Sequence, residues 1–235
     1  MRKIQLKQVL RNKRFVLFTI ILPIGWYIFF YHLQKGVSPS ILLGIAVFIG
    51  VIGNSLATFS KRIASDIGFY SFESRFTSYS VKNYLWDQSI VQLILNSLIF
   101  LAVLVVAVLG FHFPVTTSLL VQFFLLSLMG IYFSVIGFVL GVRVDAKTID
   151  TIGFPVIILA AMTIIPFDTL GASGGFMDLV GKLQRVFPGY YYTKLIQDLT
   201  EKQTIDTTQL ALFVAVFGLN LLFFYLLVPK GKMGN

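Results

Sequence analysis

Groups able to do covalent or metal chemistry are sparse in this 235-residue sequence. It has no cysteine, which excludes disulfides, thiolate metal sites and a thiol nucleophile. Its two histidines, His32 and His112, are far apart in the chain, so no local histidine pair offers itself to a metal. A hydrolase or transferase needs a constellation such as HExxH, a Ser–His pair or clustered acids, and the sequence shows no such motif. Gly181-Lys182 and Gly231-Lys232 lack the upstream glycine and the following Ser or Thr of a phosphate-binding loop. The expectation is a chain with no catalytic, cofactor-binding or metal-ligating residue of its own.

Charge and aromatic residues are concentrated in three stretches that suit binding rather than catalysis. In residues 1–14, drawn as a helix, Leu6, Val9 and Leu10 form one stripe, flanked by Lys3, Lys7, Arg11 and Arg14. That pattern predicts an interfacial helix with its apolar side in the acyl boundary and its cations at anionic headgroups. The stretch Ser60–Asp87 mixes Lys61, Arg62, Asp66, Glu73, Arg75 and Lys82 with Phe69, Tyr70, Phe72, Phe76, Tyr79, Tyr84 and Trp86. It is too long for a tight turn. Its aromatics and arginines suit a partner surface. The stretch 171–207 carries Phe176, Leu179, Val180, Leu183 and Phe187 at helical steps, then Pro188-Gly189, then Tyr192, Leu195, Ile196 and Leu199. Two short amphipathic helices joined at Pro-Gly are expected there, lying in the outer leaflet. They would form either a packing cap or an extracellular gate built on Phe187, Pro188, Gly189 and Tyr190.

These stretches must be positioned by apolar elements, and the composition says which kind. Apolar residues make up 57% of the chain and charged residues 12%, against roughly half and a quarter in soluble domains. So few charges cannot cover a core that apolar, so the chain is expected in a bilayer as an all-α membrane protein. Six segments are long and apolar enough to cross it: Phe15–Leu33, Ile41–Phe59, Gln88–Gly110, Ser118–Val142, Thr151–Leu170 and Thr208–Val228. Five of the 19 basic residues (Lys35, Lys182, Arg185, Lys194 and Lys202) fall on the outer side if the amino terminus is cytoplasmic. The other fourteen fall inside, so both termini are expected in the cytoplasm. The net charge of +9 is thereby explained by topology, without nucleic acid.

Within the spans, Ala46, Gly50, Asn54 and Thr58 repeat every four residues, as do Gly130, Ser134, Gly137 and Gly141 with one step of three. Such faces let helices approach closely and let amides bond across the contact. Asn54 and Thr58 are read as interhelical contacts, with a polar cavity as the alternative. Pro155 and Pro166 are expected to kink or break the fifth span. No ionisable residue lies mid-span, which disfavours proton coupling.

The layout as a whole resembles the permease subunits of ABC type-2 exporters. The resemblance rests on the basic amphipathic lead, the six spans, the long inner loop after the second span and the paired-helix outer loop before the sixth. Gly68-Phe69-Tyr70 followed by Arg75-Phe76-Thr77-Ser78-Tyr79-Ser80 is similar to that family's inner-loop segment. Phe187-Pro188-Gly189-Tyr190-Tyr191 is similar to its proline-aromatic signature. The resemblance implies a dimer with a second copy or a sister permease, docked on cytoplasmic ATPase subunits that hold ATP and Mg. Lys61, Arg62, Asp66, Phe69, Tyr70, Glu73 and Arg75 would then couple to the ATPase, with Arg143 and Lys147 beside them. It also implies a bacterial plasma membrane and outward movement of an amphiphilic or hydrophobic cargo. The alternatives are a non-transporting scaffold or sensor subunit, and a secondary transporter of another fold.

Overall fold

The computed structural model describes residues 11, 16–33, 36–73, 81–165, 167, 174–201 and 204–227. The side chains of residues 18, 69–73, 81, 82, 84, 85, 176 and 177 lie outside this description. So do Lys3, Lys7, Arg14, Arg75 and Pro166, while Arg11 is exposed and helical.

Long apolar runs without helix breakers fold as helices, and no strand occurs among the described residues. A π turn at Leu17–Ile21 leads into α1 (Leu22–Leu33). Pro39 opens α2 (Pro39–Ile52), where its missing N–H costs nothing. The chain then continues without a break through a π-helical stretch, Gly53–Phe59, into α3 (Ser60–Glu73). After residues 74–80 come α4 (Val81–Phe111) and α5 (Ser118–Arg143). Asp145 caps α6 (Ala146–Met162) by accepting from the Lys147 and Thr148 amides, both at 3.0 Å. Two short helices follow, α7 (Gly175–Gln184) and α8 (Pro188–Glu201), and then α9 (Thr207–Leu226), capped by Asp206.

Four stretches are long and apolar enough to cross a membrane: Pro39–Gly68, Trp86–Phe111, Ser118–Arg143 and Thr207–Leu226. The protein is therefore an all-helical membrane protein. Thr19–Leu33 is apolar but shorter, and α6, at 17 residues, is shorter than a full crossing.

The rod formed by α2 and the π stretch is the buried centre, with Leu42, Leu43, Val47, Phe48, Ile52 and Leu56 fully enclosed. Helices α1, α4, α5, α6 and α8 pack around it, whereas α9 buries only Phe213. Apolar side chains on the rim, among them Leu101, Leu109, Phe124, Leu159 and Phe223, point outward as acyl chains require.

Contacts between helix ends define the two faces of the bundle. At one end His32 meets Phe111, and Gln122 donates to the Ser40 carbonyl at 2.7 Å. At the other end Lys61 bonds both carboxylate oxygens of Asp150, at 2.5 and 2.7 Å, and the Arg143 guanidinium donates to the Leu227 carbonyl at 2.7 Å.

Candidate functional site

Two polar constructions interrupt the apolar bundle. The first is built on the π stretch. One extra residue in a turn widens the helix and re-aims its side chains, and here Asn54 and Ser55 face α4 and α5. Asn54 donates to Asn96 Oδ1 at 3.0 Å. Gln92, one turn before Asn96 on α4, donates to Ser55 Oγ at 3.2 Å. Ser55 reaches Ser134 Oγ at 3.4 Å. Arg62 Nη2 donates to Gln92 Oε1 at 3.4 Å, and its guanidinium lies 5.6 Å from the Phe59 ring centroid. A ladder of polar groups thus runs from Arg62 upward to Asn54.

The ladder exists because α5 comes close. A Cβ on Gly137 would strike the Ser55 carbonyl, and one on Gly141 would lie 2.5 Å from the Ser60 carbonyl oxygen. The small face of α5 meets the Ser55 and Ser60 backbone here, while Gly50 on the small face of α2 lies against Pro23 of α1 and Ile99 of α4. Asn54 and Asn96 act as glue between the π stretch and α4, with Asn54 Oδ1 and Asn96 Nδ2 left without a partner among the described residues. Thr58 is half-buried and Pro155 is exposed on α6, whose helix runs on past it.

The coupling residues named from sequence divide into two groups. Lys61 is engaged with Asp150, Arg62 with Gln92 and Arg143 with the Leu227 carbonyl, so these three tie helix ends together at one end of the bundle. Asp66 and the backbone of Phe69, Tyr70 and Glu73 continue along α3, and Lys147 is exposed at the start of α6. Helix α3 packs on α5 and α6.

The second construction is the α7–α8 hairpin. Of the two helices, α8 packs against α2, α5 and α9, with Tyr192, Leu195 and Ile196 buried, whereas Leu179 and Leu183 on α7 are exposed. Helix α6 stops at Met162, leaving carbonyls that no lipid tail can satisfy. The hairpin supplies the missing donors. Gln184 Nε2 donates to Met162 O at 2.6 Å and Ile165 O at 2.8 Å, and Thr193 Oγ1 to Ile164 O at 3.2 Å. Pro188 and Gly189 are buried, and a Cβ on Gly189 would sit 2.5 Å from Ile164 Cγ1. Only a glycine lets α8 approach the end of α6 this closely. Tyr192 packs edge-on against Phe48 at 4.6 Å, and Gln122 Nε2 lies 3.4 Å from its hydroxyl.

The depth of the hairpin follows from its partner on α9. Asn220 Nδ2 donates to the Val186 carbonyl at the turn, at 2.9 Å, and its Oδ1 accepts from Tyr132 at 3.3 Å. At 1.5 Å per residue, Asn220 is about 20 Å from the Thr207 end of α9, and Tyr132 about 21 Å from the Ser118 end of α5. The Val186 carbonyl therefore lies about two-thirds of the way along α9 and just past the middle of α5. Arg185 is carried there with it, its guanidinium 5.9 Å from the Tyr190 ring centroid, while Lys194 Nζ is 5.8 Å from the same ring. Sequence reasoning grouped Arg185 with the stretch before the last span and gave no sign of its contact with the Tyr190 ring. The available signal was the turn-forming Pro188-Gly189 pair, which ends one helix and starts the next. Comparisons of the chain with family models, with curated proteins and with solved structures find no match.

Proposed function

We propose that this chain is the membrane-spanning permease subunit of an ATP-driven ABC exporter that moves an amphiphilic or hydrophobic cargo outward. ATP and Mg belong to a separate ATPase subunit, and the permease works as a dimer. The observation that carries this reading is the unbroken rod from Pro39 to Glu73. It begins in the buried centre of the bundle and ends as an amphipathic helix carrying Lys61, Arg62, Asp66 and Glu73. A partner that pushed on α3 would move the core helix directly, because no flexible joint separates the two. The ties from Lys61 and Arg62 to α6 and α4 would spread that push through the bundle.

Other features support the same reading. Thr19–Leu33 and α6, the latter completed by the hairpin, bring the four long helices to six crossings with both termini in the cytoplasm. Residues 1–14 then form the interfacial lead, and Phe187–Tyr190 at the hairpin turn are the gate. A bacterial plasma membrane fits this arrangement.

The test uses the full chain co-expressed with a nucleotide-binding ATPase encoded beside it. Glu73→Lys with Lys147→Glu is preferred over reversal of Arg62, because Arg62 also holds Gln92. The double variant is expected to reduce co-purification and transport-stimulated hydrolysis by about tenfold, the scale of a lost interfacial charge pair. Undiminished co-purification and hydrolysis would overturn the coupling role.

A further inference from the structure

One donor of the polar ladder is aimed away from the rest of it. Asn96 is 5% exposed. Its Oδ1 accepts from Asn54 Nδ2 at 3.0 Å, which fixes the sense of the amide, and its own Nδ2 has no partner among the described residues. Asn96 stands ten residues past Trp86, about 15 Å into the crossing that begins there. A buried N–H at that depth must find an acceptor, and an acyl chain offers none.

The surroundings show where the acceptor would lie. Asn96 Nδ2 is 2.7 Å from the point where a Cβ on Gly130 would stand, so the amide points across to α5, and only a glycine admits it there. Ser127, three residues before Gly130, shares that face of α5. Asn96 and Ser127 both line a cavity of about 10 Å³ whose walls include Val47, Val51, Phe100 and Phe123. That volume suits one water molecule. The Ser127 hydroxyl gives its proton to the Phe123 carbonyl at 2.8 Å, which leaves its oxygen lone pairs to accept. One water can thus accept from Asn96 Nδ2 and donate to Ser127 Oγ, meeting the minimum that holds a buried water. A metal cation would meet the amide hydrogens, and a lipid tail would leave them unpaired.

We propose that this cavity between α2, α4 and α5 binds a single water molecule, held by Asn96 Nδ2 and Ser127 Oγ. The water makes Asn96 a three-way joint, bonded directly to Asn54 on the π stretch and indirectly to α5. The ladder then grips α5 at two points, at Ser134 through Ser55 and at Ser127 through the water. The site goes beyond the permease reading and does not depend on it.

The experiment takes the full chain, with its asparagine side chains labelled for nitrogen NMR, in vesicles of perdeuterated phosphatidylcholine. Water-edited solid-state spectra follow magnetisation from water into each side-chain amide, and the Asn96 signal is identified by its loss in Asn96→Leu. Transfer to Asn96 Nδ2 is expected early. At the same mixing time Asn220 Nδ2 is expected to stay dark, because it donates to the Val186 and Val216 carbonyls. Ser127→Ala should abolish the early Asn96 transfer, whereas Ser127→Thr, which keeps the hydroxyl, should retain it. Transfer to Asn96 as slow as that to Asn220 overturns the proposal, and so does early transfer undiminished in Ser127→Ala. In protonated lipid, early transfer from acyl methylenes with none from water would assign the cavity to a lipid tail and overturn it equally.

Discussion

A methyl group added at Gly137 runs into the backbone carbonyl of Ser55, and neither helix can yield without moving its neighbours. Gly137→Ala is therefore expected to destabilise the folded protein by about 1–3 kcal/mol, the usual cost of overpacking. The readout is a lower unfolding temperature in detergent. At Gly181 on α7 a methyl group meets nothing within 4 Å. Gly181→Ala should instead raise stability by about 0.5–1 kcal/mol through helix propensity. Equal responses from the two variants would contradict the packing described. Asp145 supplies a pH-dependent contribution of definite sign. Its carboxyl is held below the ordinary aspartate value by the Thr148 hydroxyl, then by the capped backbone amides of Thr148 and Lys147. A lowered folded-state value means the contribution is fully present above the ordinary value and is lost as pH falls through the lowered one. The unfolding temperature of the native chain should thus approach that of Asp145→Ala as the solution is acidified below the carboxylate range. A gap that stays constant with pH would refute this. Part of this scale is legible in sequence: the spacing of small residues along α2 and α5 announces close approach, though not that Gly137 meets Ser55 and Gly50 meets Pro23 and Ile99. The Lys61–Asp150 pair is not, because the two lie 89 residues apart and neither carries a local signal of the other.

In helix α6 the stopping point is marked by a residue of its own run, whereas the groups that complete that end are not. The apolar run Thr151–Leu170 is long enough for a crossing, yet the helix ends at Met162. Pro166 has no N–H to offer the Met162 carbonyl four residues earlier, and the carbonyls of Met162, Ile164 and Ile165 take their donors from Gln184 and Thr193 instead. Helix α7, with Asp178 and Lys182 on it, reads as a surface helix, and nothing in its periodicity reveals that its C-terminal end descends beside α9. The π stretch was equally hidden, since Gly53–Phe59 differs from α-helix in backbone pairing and not in residue type. If the hairpin does cap α6, Gln184→Met should fill the same space while orphaning two carbonyls. The expected loss is about 1–3 kcal/mol. Faster hydrogen exchange should accompany it at the end of α6 and at the turn, and should be absent from the buried rod of α2. Exchange unchanged at the turn would show that Gln184 does not hold it.

At the scale of the whole molecule, composition and span length already demanded an all-helical membrane protein, because no soluble arrangement hides so much apolar surface with so few charges. Sidedness is a separate matter, decided by which helix ends carry the cations. The end marked by Lys61, Arg143 and Lys147 also gathers Arg62 and the start of α6, whereas the opposite end is marked by Ser40, Phe111 and Gln122. On the proposed topology the first of these faces the cytoplasm, in keeping with the positive-inside bias. The natural absence of cysteine makes this directly measurable, because a single introduced thiol carries all the label. In sealed cells, Val115→Cys and Ile205→Cys, both exposed at the second end, should react with an impermeant maleimide. Lys147→Cys should react only after the membrane is opened. Val186→Cys, on the turn that Asn220 holds, should label slowly from either side if acyl chains cover it. It should label rapidly from outside if a water-filled path reaches the turn. Labelling of Lys147→Cys in intact cells would invert the whole arrangement, and with it the assignment of α3 as the surface that faces an ATPase.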